Sequence, residues 1–93
     1  MESTNPLLGF RREIDLIDHG IVDLLAQRKD IVRQVAEYKA GNGIQRCHPE
    51  RERQVIVGIR EYASSVGVDP DVAQAIIERI IEYAHRVEQE YID

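Results

Sequence analysis

The stretch LLAQRKDIV, residues 24–32, decides the fold, because it sets a helical frame and then breaks it. Stepping outward from Leu24 by three and four residues in turn gives Leu7, Phe10, Ile14, Ile17, Ile21, Leu24, Arg28, Ile31, Val35 and Tyr38. Nine of these ten positions are apolar, and the tenth is Arg28. That spacing lays all ten along one seam of one long helix. A guanidinium keeps its charge, so in an apolar seam it costs several kcal/mol unless an anion meets it. Either the chain or a ligand must supply that anion.

Beyond this seam the three prolines mark the helix starts. Asn5-Pro6, His48-Pro49 and Asp69-Pro70 each place a proline at a first helical position, where its missing N–H does no harm. Asn5 and Asp69 are good caps, and His48 is a weaker one. Gly41-Asn42-Gly43 and Gly67 supply left-handed stops. The expected fold is therefore all-α, with three helices at roughly 6–40, 49–65 and 70–92. Helix 2 carries Val55, Ile56, Ile59, Tyr62, Ala63 and Val66 on one side. Helix 3 carries Ala73, Ile76, Ile77, Ile80, Ile81, Ala84, Val87 and Tyr91. No stretch alternates like a half-buried strand.

The chain has 93 residues, which suits a single domain over 1–93. With 43% hydrophobic and 31% charged residues it reads as an ordinary globular chain. The net charge of −5 argues against nucleic acid or an anionic membrane as partner, so any positive site must be local. The one cysteine, Cys47, allows no internal disulfide and suits a reducing compartment. The first residues show no signal-peptide pattern, and no apolar run approaches membrane-spanning length, so the cytoplasm is the expected location. Cys47-His48 has no second ligand pair at metal spacing, so no metal site is expected. His19 and His85 are expected to be exposed, as are charges such as Arg12, Glu13, Lys29, Asp30, Glu78, Arg79 and Glu82.

Helix 1 informs by its length. Roughly 35 residues span about 50 Å, whereas a compact globule of this size is only about 30 Å across. Its apolar seam runs to both ends, so the overhang needs a cover. The simplest cover is a second copy of the chain, packed as an intertwined homodimer.

The other cations fit that arrangement. Lys39 lies eleven residues beyond Arg28, within about 20° of the same face and three turns along. The two long side chains can converge on one ligand. Arg11 is seventeen residues before Arg28, about 25 Å away along the axis, and cannot reach that ligand on a straight helix. If two copies of helix 1 cross antiparallel near position 22, Arg11 completes the partner's site. Glu88 also interrupts an apolar stripe, following Ile77, Ile81 and Ala84. Glu52 opens helix 2 beside Arg51. Each has a plainer reading. Arg28 could pair with Glu88 or Glu52 as a buried ion pair. Lys39 could simply complement the helix dipole, and Arg11, Arg51 and Glu52 could be surface residues. The ensemble of cations and carboxylates on buried faces favours a site.

These residues resemble the all-helical, AroQ-class chorismate mutase family. The likeness covers almost the whole chain: NPLLGFRREIDLID, LLAQRKDIVRQVAEYK, PERERQVI and IIEYAHRVEQ. Its most specific part is an arginine followed by an arginine at +17 and a lysine at +28. The resemblance implies an intertwined homodimer with two sites, an isomerase that turns chorismate into prephenate, and a place in the shikimate pathway to the aromatic amino acids. No cofactor is expected. Position by position, it implies that Arg11 of one protomer and Arg28 of the other bind the substrate carboxylates. Lys39 would donate to the ether oxygen, with Glu88 on its other side. Glu52, with Arg51, would lie near the ring hydroxyl, and Val35 and Ile81 would form apolar walls. Two positions depart from the family's pattern. Glu88 stands where bacterial members commonly carry glutamine, and an ionised carboxylate would repel a developing oxyanion. Glu88 can therefore help only when protonated, and turnover is expected to fall as pH rises. His48 stands where an aspartate is common near the ring hydroxyl. Similar scaffolds serve as isochorismate-pyruvate lyases and 4-amino-4-deoxychorismate mutases, and these remain alternatives. So does a helical dimerisation module without catalysis, though such a module would have little use for Arg28 and Lys39.

Overall fold

A computed structural model describes residues 5–92 as three α-helices: α1 (Pro6–Gly41), α2 (Pro49–Ser65) and α3 (Pro70–Glu88). There is no strand among the described residues, so the all-α expectation holds.

The caps explain the starts. Asn5 Oδ1 accepts the Leu7 N–H at 2.9 Å, and Asp69 Oδ1 accepts that of Asp71 at 2.8 Å. Each satisfies one of the N–H groups that a helix start leaves without a partner. His48 makes no such bond. Its Nε2 lies 2.7 Å from the Gln45 carbonyl oxygen instead, and α2 relies on Pro49 and an acidic first turn of Glu50 and Glu52.

The stops follow one pattern twice. Gly43 and Gly67 adopt φ of 66° and 79°, which an L side chain would resist. The next residue then reaches back over the helix end. Ile44 N–H donates to Lys39 O at 2.9 Å, and Val68 N–H to Ala63 O at 2.8 Å. Helix α3 ends at Glu88, four residues short of the expected 92. Its last turn tightens, with N–H groups of Glu90 and Tyr91 donating to the carbonyls of Val87 and Glu88 three residues back.

The chain divides into two compact units, Met1–Ile31 and Val32–Asp93. The first is the N-terminal part of α1. Its seven apolar seam residues, Leu7 through Ile31, are 49–64% exposed. In the second unit α2 packs against α3. Ala36, Ala63, Ile77, Val87 and the carboxylate residue Glu88 are buried. This is a thin core, with no large side chain fully enclosed among the described residues. Tyr62, Val66 and Ile76, expected on buried stripes, are exposed. Together with Ile59, Ile77 and Ile80 they line an open apolar groove of about 330 Å³ between α2 and α3.

Candidate active site

In the second unit, the ends of α1 and α3 meet around Lys39. Its position in the last turn of α1 places the ammonium at the negative end of the helix dipole. Nζ donates to Glu88 Oε2 at 3.0 Å and to the Arg46 carbonyl at 3.0 Å. The Lys39 and Glu88 side chains are only 16% and 11% exposed. An ammonium has three N–H groups, so one donor is left for a ligand. Partial burial makes that donor stronger than it would be in water.

A second pair lies one turn back along α3. His85 Nε2 stands 2.7 Å from Glu52 Oε2, joining α3 to the start of α2. His85 is therefore half-buried, against the expectation of an exposed residue. Two polar atoms here are buried without a hydrogen-bond partner, His85 Nδ1 and Arg46 Nε. Among the other expected site residues, Arg51 and His48 are exposed and Ile81 is half-buried. Val35 is 43% exposed.

The first unit holds the two arginines. Arg28 is half-buried and Arg11 exposed. Neither guanidinium has a hydrogen bond or ion pair among the described residues. The acids that could have neutralised Arg28, Glu88 and Glu52, are engaged by Lys39 and His85. His85 and Arg46 had no role in the sequence reading. His85 carried a signal, since it lies three residues before Glu88 and shares its helix face. Arg46 sits in the connection between α1 and α2, where no periodicity reports facing. No group of three or more His, Cys, Asp or Glu that could hold a metal occurs among the described residues, and no described helix is long and apolar enough to cross a membrane.

Within the second unit the structure shows a shielded lysine with one donor to spare, on an all-helical scaffold. The model of the chorismate mutase type II family matches residues 10–89, and the chain belongs to that family. It is 32% identical over 84 residues to the T-protein of Enterobacter agglomerans, which covers 90% of this chain but 22% of that protein. It is 32% identical over 87 residues to the chorismate mutase of Methanocaldococcus jannaschii, covering 94% of this chain and 88% of that one. It is also 31% identical over 90 residues to the 4-amino-4-deoxychorismate mutase of Streptomyces pristinaespiralis, covering 97% of this chain and 70% of that protein.

Proposed function

We propose that this chain is a chorismate mutase acting as one catalytic domain, in aromatic amino acid biosynthesis and in the cytoplasm. The carrying observation is the shielded Lys39 ammonium, fixed by two hydrogen bonds with a third donor free. In chorismate the ether C–O bond breaks while a C–C bond forms between the enolpyruvyl methylene and the ring. The rearrangement is intramolecular, so no atom is gained or lost and no nucleophile is needed. The ether oxygen gains negative charge as the bond breaks. A preplaced ammonium therefore stabilises the transition state more than the ground state. Arg28 holds one carboxylate of the dianion by a fork of N–H donors, which favours the compact reactive conformer. Its half-buried charge without an acid partner supports that role.

Arg11 supplies the second fork from another copy of the chain, an arrangement that the spacing of Arg11, Arg28 and Lys39 suits if two copies of α1 cross antiparallel. The exposed apolar seam of α1 supports a homodimer, because a continuous apolar stripe this long is rarely left to water. Glu52, with Arg51 and His48 nearby in sequence, faces the ring substituent. Val35 and Ile81 contribute apolar walls. Glu88, which accepts from Lys39 at 3.0 Å, lies beside the ether oxygen.

The second reading is a 4-amino-4-deoxychorismate mutase. It is favoured by the Streptomyces pristinaespiralis relative and by the Glu52 carboxylate, which would suit a cationic amino group. Incubating purified protein with chorismate, isochorismate and 4-amino-4-deoxychorismate in turn, with products followed by NMR, separates these. Prephenate from chorismate is the expected result. Turnover of the amino compound alone would replace the first reading with the second, and no turnover of any would overturn both.

A further inference from the structure

The Glu52–His85 pair joins α3 to the start of α2. His85 Nε2 lies 2.7 Å from Glu52 Oε2. Nε2 carries a proton both in the imidazolium and in the neutral tautomer that a carboxylate neighbour selects, so in either form it donates to Glu52. One carboxylate oxygen is then occupied and the other, Oε1, remains an acceptor. The Glu52 side chain is still 37% exposed, so the carboxylate is not sealed off from a ligand. His85 cannot easily swing away, because its ring is packed deeply enough to leave Nδ1 buried. Three residues further along α3, Glu88 makes the parallel bond to Lys39. Two donor–carboxylate pairs thus stand side by side, one at the expected breaking bond and one at the expected ring substituent.

We propose that His85 is a positioning residue that aims Glu52 at the ring hydroxyl and so sets the enzyme's preference for a substrate bearing a hydrogen-bond donor there. The inference rests on the proposed function, which places chorismate in the site. Without His85 the carboxylate is free to rotate, and the ring hydroxyl loses a fixed acceptor. The hydroxyl lies away from the bonds that break and form, so the effect falls mainly on KM.

The test uses three variants and two substrates, chorismate and its analogue lacking the ring hydroxyl. His85→Gln keeps an N–H donor at nearly the reach of Nε2. His85→Asn is polar but too short, and His85→Leu is apolar. Thermal melts establish that each variant folds. The expected loss in kcat/KM on chorismate is about tenfold for Leu and Asn, the scale of one hydrogen bond to a charged group, with His85→Gln close to the parent. On the deoxy analogue all four proteins should be alike within about twofold, since there is no hydroxyl for Glu52 to hold. Should His85→Leu fail to fold, the contrast between Gln and Asn carries the same comparison. Equal losses on both substrates, or no loss on either, would show that His85 is merely structural and would overturn the proposal. A parent protein inactive on chorismate would instead overturn the proposed function, and this inference with it.

Discussion

Ile17 and Ile77 are the same side chain in two amphipathic stretches of helix, yet Ile17 is 64% exposed and Ile77 9%. Ile77 is covered because the second unit returns on itself, α2 against α3. Ile17 belongs to the N-terminal part of α1, with no other element in its unit. The two units differ likewise in charge. In the second, Lys39 and Glu52 have partners; in the first, Arg11 and Arg28 have none among the described residues. Apolar periodicity states which face wants cover, and spacing states which charges could meet. Neither states whether the cover comes from the same chain.

The comparison breaks most visibly at Ile17. A free helix face tolerates a charge, with effects within about 0.5 kcal/mol. A face covered by a second copy does not, because the charge would be buried without a partner. Ile17→Glu is therefore expected to abolish both assembly and activity, read by sedimentation and by turnover. By contrast Ile77→Ala, in the second unit, should cost about 2–5 kcal/mol of stability and leave the stoichiometry of any folded protein unchanged. A monomeric Ile17→Glu protein with full activity would remove the homodimer.

The next effect separates the two cations of α1. On the proposed function Lys39→Ala removes the donor to the ether oxygen and is expected to lower kcat by roughly 100- to 1000-fold. On the same proposal Arg28→Ala removes a carboxylate grip present before and during the reaction, so a larger share of its loss should appear in KM. Steady-state kinetics of both variants check this. A Lys39→Ala enzyme with unchanged kcat would take the ammonium out of the mechanism.

Much of this was legible in the sequence because helices are local. The prolines, the glycines at 43 and 67 and the seam through Leu24 fix the helices without reference to the rest of the chain. The end of α3 was missed because the apolar stripe continues to Tyr91 while the backbone tightens after Glu88. Lys39, Glu52 and Glu88 stood out as polar residues interrupting or flanking apolar faces. His85 did not, since the bond that defines it joins residues 33 positions apart, 52 and 85. Arg46 escaped for another reason: its backbone carbonyl, a group every residue has, is what Lys39 uses.

Glu88 gives a smaller effect. In the free chain its carboxylate accepts from Lys39 at 3.0 Å. A reacting ether oxygen needs a donor in that place, and an amide is one at any pH. If Glu88 lies at the ether oxygen, Glu88→Gln puts a donor there and should raise kcat a few-fold, measured at one fixed pH. An unchanged kcat would remove Glu88 from the chemistry while leaving its bond to Lys39 as a structural fact.

The finest contrast lies between the two caps of the second unit. Asp69 and His48 both precede a proline at a helix start. Asp69 caps through its side chain at 2.8 Å, whereas His48 makes no side-chain cap bond. Asp69→Ala should cost about 1 kcal/mol, a fall of a few degrees in Tm with kinetics intact. His48→Ala removes only an exposed contact to the Gln45 carbonyl, so Tm should hardly move. If His48 also contacts the ring substituent, KM for chorismate should rise in His48→Ala and stay fixed in Asp69→Ala. A lower Tm for His48→Ala with unchanged KM would reverse the assignment and make position 48 a structural residue. The substituent would then be left to Glu52 and to the imidazole that holds it.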